Sequence, residues 1–183
     1  MVKASAPGKC ILFGEHAVVY GQPALACSIN QRMTIELEKE ETFDTWRLDG
    51  RTFNPRKHPH IEYIRNQLTT EHIEPLHIRI RGTIPKASGL GSSAALSVAL
   101  CGALQQLRNE PLNQAQASTI SHQAEATAQG GRASPLDTAT SSFGGFVVLS
   151  DTIEDGLDFI ETRTMDVDGK TLQWHLHTFK ASI

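Results

Sequence analysis

Apolar residues recur along this chain with two different periods. Met33, Ile35 and Leu37 alternate with polar neighbours in MTIELEKE, and Leu76, Ile78 and Ile80 alternate with His77, Arg79 and Arg81 in LHIRIRGTI. A period of two sends one set of side chains to a buried face and predicts half-buried strands. In IEYIRNQL the apolar positions Ile61, Ile64 and Leu68 are spaced by three and four, which predicts a short helix. Ser92 to Leu107 is rich in Ala and Leu, lacks Pro and is apolar nearly all round, so it predicts a buried helix. Leu112 to Ala128 predicts a second, more polar helix ended by Gly130 and Gly131. FGGFVVLS reads as a buried strand, and residues 3 to 38 read as strand-rich, punctuated by APG and YGQP. Near the C-terminus, ETRTMDV and KTLQWHLHTF flank Asp168-Gly169, which is a hairpin signal. There Leu172, Trp174 and Leu176 share an inward face, and His175 and His177 are expected on the solvent face.

Composition adds limits rather than detail. The chain has 183 residues, enough for one domain or a little more and for a core without metal or disulfide staples. A net charge of −3 gives no global attraction to nucleic acid or to anionic membranes. No apolar run approaches the ~18 residues that span a bilayer, and MVKASAPGK lacks the apolar core of a signal peptide. A cytoplasmic protein with neither nucleic-acid nor membrane partners is therefore expected. Cys10, Cys27 and Cys101 show no metal-ligand spacing and read as buried thiols. His58 and His60 in RKHPH lack a nearby third ligand and read as part of a solvated loop.

The chemistry concentrates in three places. In PKASGLGSSAALS (Pro85 to Ser97) a predicted strand runs through a glycine-rich turn into the buried helix. Gly89 and Gly91 can take backbone angles closed to other residues and let a ligand approach the main chain. The helix start offers unpaired N–H groups and the positive end of its dipole, which suits a phosphate. Ser92 and Ser93 could cap the helix or reach a metal, and a tight turn with a serine N-cap remains an equal reading. Neither a Walker A sequence nor a complete dinucleotide fingerprint is present. The second place is APGKCILFGEHAVVYGQPA, where Lys9 precedes an apolar strand and Glu15 and His16 follow it in a turn. The third is EATAQGGRASPLDTATSSFGG, with Glu125 in a last helical turn. A carboxylate there opposes the helix dipole by about 0.3–1 kcal/mol, a conflict that a nearby cation would remove. Asp137, after a Pro-containing turn, could also be a helix cap.

In this order the motifs PGK-x-x-L-F-G-E-H-A-V-V-Y-G, SGLGSSAA and RASPLDTATSSFGG resemble the GHMP kinase superfamily, and within it the mevalonate kinases, over nearly all of residues 4 to 149. The resemblance implies an α+β fold: a mixed sheet with helices packed on one face, like the second domain of a small-subunit ribosomal protein. It implies a GHMP kinase N-terminal ATP-binding domain over residues 1–150, with residues 151–183 a hairpin leading toward a C-terminal domain. The implied activity is ATP-dependent, Mg²⁺-dependent phosphorylation of mevalonate, with ATP and Mg²⁺ as cofactors and mevalonate as the small-molecule partner. Asp137 would be the catalytic aspartate, with Lys9 beside the same hydroxyl and the γ-phosphate. Pro85, Lys86, Ala87, Ser88, Gly89, Leu90, Gly91, Ser92 and Ser93, together with Lys9, would wrap the nucleotide phosphates. Ser93 and Glu125 would hold Mg²⁺, and Glu15, His16 and Ser134 would line the mevalonate site.

Gly130-Gly131 adds one residue between Glu125 and Asp137 relative to familiar members. The family's third glycine-rich motif is not found before Ile183, so the chain reads as an N-terminal portion. Two other readings stay open: a related kinase of the phosphomevalonate type, and a nucleotide-binding fragment inactive without a C-terminal domain. A homodimer is also open, since family members are often dimers.

Overall fold

The computed structural model describes residues 1–15, 20, 22–39, 41–69, 75–85, 87–131, 133–167 and 169–179. Its centre is a pair of long antiparallel strands, β1 (Val2–Phe13) and β2 (Ala24–Lys39). Beyond β2 come β3 (Arg47–Leu48) and β4 (Arg51–Thr52), then helix α1 (Pro59–Leu68) and strand β5 (Leu76–Gly82). Three helices follow, α2 (Ser92–Leu107), α3 (Gln114–Ala128) and α4 (Pro135–Phe143), and then strands β6 (Phe146–Ser150), β7 (Asp158–Val167) and β8 (Lys170–Phe179). The sheet runs β4-β3-β5-β2-β6-β8-β7, with β1 paired to β2 off this path. It is mixed, because β3 pairs with β5 in parallel while the other pairings are antiparallel.

Strand β2 serves two neighbours in succession. Its C-terminal half, Met33 to Lys39, pairs with β5, and its first residues, Ala24 to Cys27, pair with β6. The break between them coincides with an irregularity in β1. Pro7 pairs with Arg32 and Lys9 with Ser28, so Gly8 alone faces Ile29, Asn30 and Gln31. Proline lacks a ladder donor and tolerates such a break, and a bulge re-aims the next side chain. The next side chain is Lys9. Alternation of burial fails at the same point, and Ala6 to Lys9 are all buried.

Helices α2 and α4 lie against β1 and β2, while α1 and α3 pack onto the other helices. Two apolar clusters result. The larger joins Ile35, Leu37, Ile61, Ile64, Ile78, Leu100 and Leu104, and the smaller joins Leu136, Val147, Leu149, Trp174 and Leu176. The predicted strand and helix faces are thus the ones buried. Cys101 is buried and its thiol is pushed up to about 12 by burial. Cys10 and Cys27, expected to be buried, are only half-buried and oppose each other across β1 and β2.

Two expectations need correction. His177 is not on a solvent face but fully buried. The segment after β6 folds over it, so that the Glu154 N–H donates to His177 Nε2 at 3.1 Å. The ring of Phe159 stands edge-on to it at 5.7 Å. His60 is not in a loop either; it sits in the first turn of α1, half-buried, with its ring 6.3 Å from that of His58. Burial lowers its pKa, Glu125 opposes that shift and His58 adds to it.

Trp174 is fully buried in the smaller cluster, and its Nε1–H has no hydrogen-bond partner among the described residues. Trp174→Ala is expected to cost about 3–5 kcal/mol by denaturant titration. Trp174→Phe removes the orphaned donor and should cost clearly less; equal losses would contradict this packing.

Candidate functional site

The bulge at Gly8 brings the glycine-rich turn onto β1. A Cβ on Gly8 would lie 2.7 Å from the Leu90 carbonyl oxygen and 2.9 Å from Ile84 Cδ1. That close approach lets the Lys9 N–H donate to the Leu90 carbonyl at 3.0 Å. The turn itself holds three residues at positive φ, Ala87 (54°), Gly89 (73°) and Gly91 (69°). The Ser88 hydroxyl donates to the Pro85 carbonyl at 2.8 Å, which closes the loop on itself. Gly91 also touches the lysine: a Cβ there would fall 2.7 Å from Lys9 Cγ. Lys9 therefore runs beneath the start of α2, 4% exposed.

The N-cap of α2 is Gly91, with no side-chain cap. This decides between the two readings of the serines. Neither Ser92 nor Ser93 caps the helix, and the N–H groups of its first turn have no intrahelical partner. Such a turn, with the positive end of the dipole, is suited to an anion.

Helix α4 was not predicted as a helix. Ser134 caps it by accepting the Leu136 N–H at 3.3 Å, and Pro135 occupies its first turn. Asp137 lies in that turn and meets the Lys9 ammonium, Nζ to Oδ1 3.1 Å. The alignment falls short of a good hydrogen bond, and among the described residues no other group donates to this buried oxygen. Burial raises the Asp137 pKa above its ordinary value, Lys9 lowers it, and Glu125 and Glu15 raise it again. Burial outweighs the ammonium. The connection that delivers Asp137 is anchored to α3, where the His122 ring contacts the Ala133 carbonyl through Nε2 at 2.9 Å.

Glu125 forms the second half of the site. It is 5% exposed near the end of α3. Ser93 Oγ and Ser97 Oγ both donate to its Oε1, at 2.8 and 2.9 Å, and Gln129 Nε2 donates to Oε2 at 3.2 Å. No lysine or arginine forms an ion pair with it among the described residues. A buried carboxylate with hydroxyl and amide donors but no countercharge is costly by itself and fits a hard cation that takes carboxylate and hydroxyl oxygens. No group of three or more His, Cys, Asp and Glu side chains that could hold a metal occurs among the described residues.

The structure therefore brings Lys9, Leu90, Gly91 and Asp137 together, and joins Ser93 to Glu125. Ser134 is half-buried at the cap of α4, and Glu15 is exposed in the turn after β1. Pro85, Ser88 and Gly89 are exposed along the loop. His16 and Lys86 lie outside the described residues. Sequence reading missed Ser97 and Gln129, although each stands four residues from a predicted site residue, the spacing that shares a helix face. It also missed Gly8, whose signal was the Pro-Gly pair inside a strand.

Two measurements check this geometry. A side chain at positive φ costs about 1–2 kcal/mol, so Gly89→Ala, with open space around its Cβ, should lose only that. Gly91→Ala must also displace Lys9 and should lose more in thermal or chemical unfolding. The second concerns Asp137. An acid with a raised folded pKa contributes stability below its unfolded pKa and loses it as pH rises through the folded value. Lys9→Met removes an influence that lowers the pKa, so the Asp137 carboxyl should titrate higher still by carbon-detected NMR. An unchanged titration would mean that the ion pair is absent in solution.

Comparison with known proteins fits this geometry. Residues 59–145 match the family model of the GHMP kinases N terminal domain. The chain is 44% identical over 150 residues to a mevalonate kinase of Methanothermobacter thermautotrophicus, covering 80% of this chain and 49% of that protein. It is 38% identical over 144 residues to a mevalonate kinase of Archaeoglobus fulgidus, covering 78% and 50%. Among solved structures, the mevalonate kinase of Methanococcus jannaschii superposes with a TM-score of 0.70 at 28% identity, covering 80% of this chain and 52% of that one. The chain spans about half the length of the curated relatives it matches. A bulged β1 carrying Lys9, a glycine loop at a helix start and an aspartate in the first turn of α4 thus sit on a shared fold, and the chain belongs to the GHMP kinases by its N-terminal domain.

Proposed function

We propose that this chain supplies the phosphate loop, the metal ligands and the acceptor-activating carboxylate of an ATP-dependent mevalonate kinase. The observation that carries the reading is the ion pair of buried Lys9 with half-buried Asp137 directly beneath the glycine-rich turn. The names of the relatives support the substrate. In this reading the N–H groups at the start of α2 and the 87–91 loop hold the nucleotide phosphates. Ser93 and Glu125 hold Mg²⁺, which when bound would neutralise phosphate charge.

Phosphoryl transfer asks mainly for positioning and charge neutralisation. The 5-hydroxyl of mevalonate would sit against the accessible side of the Asp137 carboxylate, whose Oδ1 is turned toward Lys9. As the hydroxyl oxygen bonds to the γ-phosphorus and the bond to the β-phosphate oxygen breaks, Asp137 takes the proton. A raised pKa makes it a better acceptor than an ordinary aspartate. Lys9 opposes the rise in the Asp137 pKa and places a positive charge beside the transferred group. Glu15, His16 and Ser134 would line the acceptor side.

Asp137→Asn keeps size and polarity but cannot accept the proton. It should lower mevalonate-dependent ADP release by about 10²–10⁴-fold in a coupled assay while leaving the affinity for Mg-ATP within a few-fold. Wild-type-like turnover in this variant would remove Asp137 from the reaction.

A further inference from the structure

Glu125 is held by more groups than a metal ligand needs. Ser93 is exposed at the first turn of α2, whereas Ser97, one turn further along, is 0% exposed. Both hydroxyls donate to the same oxygen, Oε1, and Gln129 takes one position on Oε2. A carboxylate has about four acceptor positions. Among the described residues three are filled, and the one left is on Oε2. Ser93 can donate its proton to Glu125 and still offer a lone pair to a cation. Ser97 is closed to a ligand from solvent, because it is fully buried and its hydroxyl is turned to Glu125 on α3.

We infer that Ser97 is a positioning residue that fixes the Glu125 carboxylate for metal binding. It does so from the α2 side, while Gln129, four residues beyond Glu125 on α3, fixes the other oxygen. The two helices thereby share one carboxylate. Without Ser97, Oε1 keeps only the Ser93 hydroxyl, and the carboxylate can turn toward that serine and away from the cation. Partners of this kind behind a ligand typically change metal affinity by about 10–100-fold. The inference rests on the reading of Glu125 as a metal ligand.

The test is Mn²⁺ binding to the protein with a non-hydrolysable ATP analogue, read from the loss of the free Mn²⁺ paramagnetic resonance signal. Ser97→Ala should weaken Mn²⁺ about tenfold while metal-free analogue binding stays unchanged. Alanine is a good helix former, so the substitution itself does not penalise α2. Glu125→Gln should weaken Mn²⁺ at least as much, and adding Ser97→Ala to it should change nothing more. If Ser97→Ala binds Mn²⁺ like the wild type while Glu125→Gln is impaired, the role of Ser97 is overturned and the metal reading stands. Loss of metal-free analogue binding in Ser97→Ala would make it a packing residue and also overturn the inference. If Glu125→Gln leaves Mn²⁺ binding intact, the metal reading fails and this inference with it.

Discussion

One buried lysine organises the site. Lys9 is placed by the bulge at Gly8, bonded through its backbone to Leu90, roofed by Gly91 and paired with Asp137. Two segments distant in sequence, the glycine-rich loop and α4, meet at that one residue. Burying an ammonium without a partner is costly. The positions of the phosphate loop and of α4 are therefore not independent. Each is constrained by the need to enclose the same charge.

Glycine is used here where a side chain would collide. Gly8 and Gly91 both abut the lysine segment so closely that a Cβ would fall within 3 Å of a neighbour. Gly91 has a second duty, since as a cap without a side chain it leaves the first-turn N–H groups of α2 open. The buried carboxylate of Glu125 completes the arrangement by opposition. Lys9 and Asp137 offset each other's charge, whereas among the described residues the partners of Glu125 are hydroxyl and amide donors.

Much of this was legible in the residues. Strict alternation found β5 and the second half of β2, and the all-round apolar run found α2 with its observed bounds. Lys9 and Asp137 were singled out before any geometry was known. Helix α4 escaped because TATSS is hydroxyl-rich and looks like loop, even though Ser134-Pro135 is a helix start with a capping hydroxyl. His177 was misplaced because alternation describes one sheet face at a time, and nothing local announces that the segment after β6 covers the other. The short β3 and β4 are set by pairing with β5 and each other, not by their own composition. Ser97 was passed over because a serine in a buried helix has no signature until its partner on α3 is placed.

The central claim is that acceptor alcohol and phosphates meet at the Lys9–Asp137 pair. Calorimetric titration with Mg-ADP and aluminium fluoride, a mimic of the phosphoryl group in flight, tests it most directly when done with and without mevalonate. A shared site predicts that mevalonate tightens the complex by tenfold or more, because the mimic is complete only with the alcohol in place. An affinity indifferent to mevalonate would contradict the account.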